Sequence, residues 1–100
     1  MIKQTKKSLN GTSFFDVTFM STPKKLKKLF PNSYQEHNDG SDKTNFDFEL
    51  ETEKGNVFSI YDWKEYRKLK MNETIEWHIG AFGRSQSIDA LHELNQLLEK

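Results

Sequence analysis

Two alternating apolar runs face each other across a glycine-bearing turn, and no other feature constrains the fold of this chain as much. Phe46, Phe48 and Leu50 alternate with Asp47, Glu49 and Glu51, the period-2 signature of a strand with one buried face. Val57-Phe58-Ser59-Ile60-Tyr61 alternates likewise. A two-residue turn at Lys54-Gly55 or Gly55-Asn56 would set Phe58 and Ile60 opposite glutamates. A three-residue loop, Glu53-Lys54-Gly55, instead pairs Leu50 with Phe58 and Phe48 with Ile60, and puts Gly55 where this loop type needs a positive φ. The spacing therefore predicts a hairpin over 45–63. A third strand over 74–80, with Ile75, Trp77 and Ile79 on one face, is expected beside it.

The rest of the chain supplies material to cover that sheet. Residues 13–20 alternate, with Phe15, Val17 and Phe19 on one side and Asp16 and Thr18 on the other; Phe14 and Met20 add apolar area to the second face. Thr22 then stands as a helix N-cap with Pro23 at the first helical position. Leu26, Leu29 and Phe30 form a narrow stripe, and Pro31 closes the helix. Residues 2–9 suggest an edge strand folded back on 13–20 through the Asn10-Gly11 turn, and residues 32–44 read as a polar surface loop. Asp62 and Glu65 have capping-box spacing, which predicts a helical turn to about Lys70. Ser87 is the expected cap of a last helix with Ile88, Leu91, Leu94 and Leu98 on one stripe. The expectation is one α+β domain spanning 1–100: an antiparallel sheet of three to four strands, two helices on one face, order β-α-β-β-β-α.

Composition narrows the function classes. Fifteen basic and fifteen acidic residues give a formal net charge of zero, which argues against a general duplex-DNA coat. Cysteine is absent, so a disulfide framework, a thiolate nucleophile and a zinc-finger pattern are excluded. No apolar run approaches membrane-spanning length and no signal-peptide core opens the chain. A cytoplasmic location, without a membrane partner, is the expectation.

Chemistry concentrates in three places. The segment from His78 to Ser87 leaves a strand, turns through Gly80 and Gly83, and enters a helix. Free amides at a helix start, with Arg84, Ser85 and Ser87, suit an anion such as a nucleotide phosphate. The same residues serve equally as an ordinary glycine turn and serine cap. A second group, Tyr61, Trp63, Lys64 and Tyr66 beside the acidic strand face of Asp47, Glu49 and Glu51, suits contact with a protein partner, or core closure in the case of Trp63. Such an acidic face can imitate phosphates, or it can simply be solvated. The third is the lysine face of Lys24, Lys25, Lys27 and Lys28: a solvated helix surface or a patch for nucleic acid. His37 with Glu36, Asp39 and Asp42 fits no metal-ligand spacing, no cofactor fingerprint is present, and no nucleophile stands on an elbow turn. A metal, a cofactor and catalysis are therefore not expected.

Three fragments add a resemblance. Gly11-Thr12-Ser13 with Thr22-Pro23, Leu26 and Leu29-Phe30-Pro31, then Phe58-Ser59-Ile60-Tyr61-Asp62-Trp63-Lys64, then Trp77-His78-Ile79-Gly80, resemble in order and spacing a family of small proteins encoded by tailed bacteriophages. The chain departs from the family pattern in lacking a glycine before Pro31 and in carrying Ala81 where a second glycine is usual. The resemblance implies a phage protein acting in the bacterial cytoplasm. It also implies, as the leading reading, a non-enzymatic inhibitor of a host protein or defence complex, an anti-CRISPR-like protein among the forms this takes. Capture of an anionic nucleotide or signalling molecule is the alternative, and nucleic-acid contact a third.

Overall fold

A computed structural model describes residues 2–99 as an α+β domain, with a six-stranded antiparallel sheet and two helices. The strands are β1 (Lys3–Gln4), β2 (Ser13–Ser21), β3 (Tyr34–Glu36), β4 (Phe46–Glu51), β5 (Val57–Tyr61) and β6 (Ile75–Ala81). The helices are α1 (Pro23–Leu29) and α2 (Arg84–Leu98). The sheet order is β1-β4-β5-β6-β2, and β3 also pairs with β4. The expected three to four strands thus understate the sheet by two or three, and the order β-α-β-β-β-α holds only once the short β1 and β3 are set aside.

The central hairpin has the expected register, Leu50 opposite Phe58 and Phe48 opposite Ile60. Gly55 has φ +86° and its N–H donates to Thr52 O at 2.9 Å, closing the three-residue loop. An L-residue there pushes its Cβ towards the following carbonyl. Gly55→Ala is therefore expected to cost about 1–2 kcal/mol, read as a lower urea midpoint; an unchanged midpoint would remove the loop's claim on a positive φ.

One face of the sheet carries the core. Phe46, Phe48, Leu50, Phe58, Ile60, Ile75, Trp77 and Ile79 are all buried there, joined by Leu26 and Phe30 from the α1 side and by Ala90 and Leu94 of α2. Thr22 caps α1, its hydroxyl accepting from Lys25 N. α2 starts earlier than expected. Gly83 is its N-cap, and Ser87 lies inside the first turn, buried, with its hydroxyl donating to Gly83 O at 3.0 Å. Ser87, Ala90 and Leu94 are buried against the sheet, and Leu91 and Leu98 of the expected stripe pack partly buried on the same core, while Ile88 is exposed.

Three other expectations are corrected. β1 pairs with β4, not β2. β1 and β3 divide the free edge of β4 between them, β1 opposite Leu50 and Glu51 and β3 opposite Phe46 to Phe48. The segment read as a surface loop therefore contains a strand, and its remainder is tied down by Asn38, which exchanges two hydrogen bonds with the Leu69 backbone. No helix forms over 62–70. Lys64 and Tyr66 sit at φ 55° and 51°, outside the right-handed helical region. The Asp62 carboxylate is spent on Asn45 and Phe46 rather than on a cap. Among the described residues no helix is long and apolar enough to cross a membrane.

Candidate functional site

The helices cover one face of the sheet, and the chemistry gathers on the other. In β5 and β6 the residues between the core positions are Ser59 and Tyr61, and His78 and Gly80. Pairing sets Ser59 opposite Gly80 and Tyr61 opposite His78. β2 adds Phe14 opposite Gly80. Phe14 stacks on His78 with centroids 4.1 Å apart and planes 13° apart; His78 lies 5.5 Å from Tyr61 and 6.2 Å from Trp63. Four rings thus form a row across three strands, with Phe14 and Trp63 each more than one-third exposed. Burial holds the His78 pKa below its ordinary value, against the opposing pull of Glu76 and Asp16. The ring is therefore an uncharged member of the row near neutrality.

Beside the row an open cleft of about 260 Å³ has Gly80 and Ser59 as its floor, Tyr61 and Trp63 as a wall, and Asp47 and Thr44 on the far side. Thr12 and Ser13, arriving at β2, complete the rim. Gly80 keeps the floor low: a Cβ there would stand 2.8 Å from Ser59 Oγ and 3.5 Å from a Tyr61 ring carbon. Asp47 is half-buried and its Oδ1 is fully buried without a hydrogen-bond partner. Burial, then the nearby Glu49 and Asp62 carboxylates, push its pKa up to about 6. Burial and Asp47 together also raise the pKa of Tyr61. Lys64 N–H donates to Lys43 O at 2.7 Å, which joins two loops and sets both ammonium groups near the Trp63 ring, at 5.4 and 5.9 Å.

The residues singled out from sequence are redistributed by this geometry. Asp47, Tyr61 and Trp63 meet His78 and Gly80 here, with Lys64 against Trp63, so that strand pairing brings His78 to the aromatic group and joins that group to the start of the glycine segment. Glu49 remains exposed. Glu51 is buried under the N-terminal segment, 3.5 Å from Lys7 Nζ. Its burial is outweighed by Thr5, Lys7 and Lys3, which hold its pKa below the ordinary value. The acidic face is therefore partly covered and partly desolvated. Tyr66 is exposed, away from the four-ring row. At the α2 start, Gly83 caps, Arg84 is exposed, Ser85 donates to Gln86 Oε1, and the Ser87 hydroxyl is committed to Gly83 O.

The lysine face is divided too. Lys24 and Lys28 are exposed, but Lys25 Nζ donates to Leu98 O, and Lys27 pairs with Glu36 at 2.9 Å beneath Tyr34. Among the described residues no group of three or more His, Asp or Glu side chains could hold a metal ion. Phe14, Thr44, Ser59 and Lys43 went unrecognised from sequence as members of one site; Phe14 carried a signal, being apolar on the polar side of an alternating strand. Comparison with known proteins finds no matching family model and no similar curated protein or solved structure.

Proposed function

We propose that this chain is a small, non-enzymatic binding protein of phage type that inhibits a component of its bacterial host, a defence complex foremost, by occupying it in the cytoplasm. The observation that supports this reading is the ring row Phe14–His78–Tyr61–Trp63, left open on the face of the sheet opposite the helices. Half-exposed aromatic rings bury large area at little entropic cost when a partner arrives, and they dominate the energetics of interfaces. Contiguous open rings on a small protein mark interaction surfaces more than solvent faces. The contacts of His78 are with rings, which favours packing and recognition over proton transfer.

The proposed contact surface thus centres on the rings, with Lys64 and Glu49 at its border. Nucleic-acid contact through the helix lysines is less well supported, since Lys25 and Lys27 are already engaged. The test is capture from a bacterial host lysate with tagged protein. Wild type is expected to retain a host protein, and a Phe14→Ala/Trp63→Ala double variant to lose it, while Lys24→Glu/Lys28→Glu keeps it. Equal capture by the ring variant would defeat the proposal.

A further inference from the structure

We infer that the cleft beside the ring row is a nucleotide site, seating a guanine base against Tyr61, Trp63 and Asp47 and its phosphate at Lys43 and Lys64. The inference rests on the reading that this sheet face is the recognition surface, and goes beyond it in naming a small ligand and its chemistry.

Size is the first constraint. Pockets for drug-sized molecules run to about 300–1,000 Å³, so a cleft of about 260 Å³ takes one ring system and leaves the remainder of a ligand outside. Shape is the second. Gly80 presents bare backbone on the floor, where a Cβ would crowd the Ser59 hydroxyl and touch the Tyr61 ring. Tyr61 and Trp63 meet edge to face at 76°, making a corner in which one ring stacks a flat ligand and the other meets its edge. Unstacked bases are held in this way by aromatic side chains while polar groups read their edges.

The polar group in place is Asp47. Its Oδ1 is buried without a partner, so a base in the cleft that Asp47 lines reaches both oxygens only once the side chain turns towards it. An ionised carboxylate can only accept. A buried acceptor kept unsatisfied calls for an explanation, and a ligand donor is one. Among the common bases guanine alone carries two adjacent N–H donors on its pairing edge, N1–H and the 2-amino group, matched to the two oxygens of one carboxylate. Adenine sets an acceptor ring nitrogen beside its amino group, and that lone pair would face the carboxylate.

The surroundings of Trp63, one wall of the cleft, supply the other half. Lys43 and Lys64 both hang within 6 Å of Trp63, and Lys64 takes a left-handed backbone conformation while bonded to Lys43 O. Each ammonium group can give a phosphate near the Trp63 ring a charge-assisted hydrogen bond. A cationic occupant such as an arginine side chain would satisfy Asp47 but would meet both lysines.

The experiment titrates GMP, AMP, guanosine and inorganic phosphate into isotope-labelled full-length protein, following the amides of Thr44, Ser59 and Gly80 and the Trp63 indole. GMP is expected to give saturable shifts at all four. AMP and Asp47→Asn should each weaken binding about tenfold or more, and a Lys43→Ala/Lys64→Ala variant should bind GMP no better than guanosine. Absence of saturable GMP shifts at millimolar concentration, equal affinity for AMP, or undiminished binding by Asp47→Asn would each overturn the inference. Phosphate alone is expected to move Trp63 without Gly80; guanosine leaving Gly80 and Ser59 unmoved at millimolar concentration would overturn the base-binding half. If GMP fails while the ring variant still loses its host protein, the nucleotide site alone falls. If GMP saturates the site and no host protein is captured, the nucleotide site stands and the protein-partner reading falls.

Discussion

An Asp62→Ala protein is expected to lose about 3–5 kcal/mol of stability, more than a single change at an exposed loop position should cost. Asp62 is fully buried. Its carboxylate accepts from Asn45 N at 2.8 and 3.0 Å, from Phe46 N at 2.8 Å and from Asn45 Nδ2 at 3.1 Å. Removing it leaves two backbone donors and one amide proton buried without an acceptor, each at about 1–3 kcal/mol; relief of the carboxylate's own desolvation offsets part of the sum. The loss also spreads. Asn45 accepts from Gly40 N and donates to Arg67 O, so the loop carrying Lys43 and the irregular segment carrying Lys64 are both referred to Asp62. Asp62→Asn keeps one acceptor and should cost roughly half as much. For a domain of this size the alanine change corresponds to about 15–30 °C in Tm. Thermal and urea melts decide it: an Asp62→Ala protein within 1 kcal/mol of wild type would show that the network is decoration.

The role of Asp62 also marks where sequence reasoning stops. The hairpin was legible because two local signals, strand alternation and a glycine at one loop position, demand the same register. The inner face of β6 was legible because Ile75, Trp77 and Ile79 can be buried together in only one way. Asp62 and Glu65 carry a helix-start spacing, yet the carboxylate meets better partners seventeen residues upstream, and tertiary bonding overrides the local preference. β3 and β1 are too short and polar to announce themselves; they exist because β4 offers a free edge. Ser87 and Gly83 were both plausible caps, and packing of Ala90 and Leu94 on the sheet selects the earlier start.

The site was legible residue by residue but not as an assembly. Tyr61, Trp63, His78, Gly80 and Asp47 stand out by type, and their meeting follows from strand register. Phe14 joins them only because β2 bulges. Between Phe14 and Thr18 the chain takes four steps while β6 takes two, from Gly80 to His78. The extra residues include Asp16 at φ 63°, a conformation that Asp tolerates better than most. No periodicity contains that slip, and without it Phe14 would not lie over His78.

Asp47→Asn is expected to stabilise the protein at neutral pH while weakening the proposed GMP binding about tenfold or more. Burial and two neighbouring carboxylates raise the folded-state pKa from 3.8 to about 6, so the folded protein holds this proton more tightly than the unfolded chain does. Between about pH 4 and pH 6 folding therefore takes up a proton, and stability falls as pH rises through that window. Below it both states are protonated and the group contributes nothing. Above it the full penalty applies, about 1–2 kcal/mol once the partial exposure of the group is discounted. Asparagine never ionises, so the variant should melt about 5–15 °C higher at pH 7.5 and no higher at pH 3.5. An Asn variant equal to or weaker than wild type at pH 7.5 would mean that Asp47 carries no strain. A gain confined to the higher pH, together with weakened GMP binding, is the signature of a residue retained for recognition against the interest of the fold.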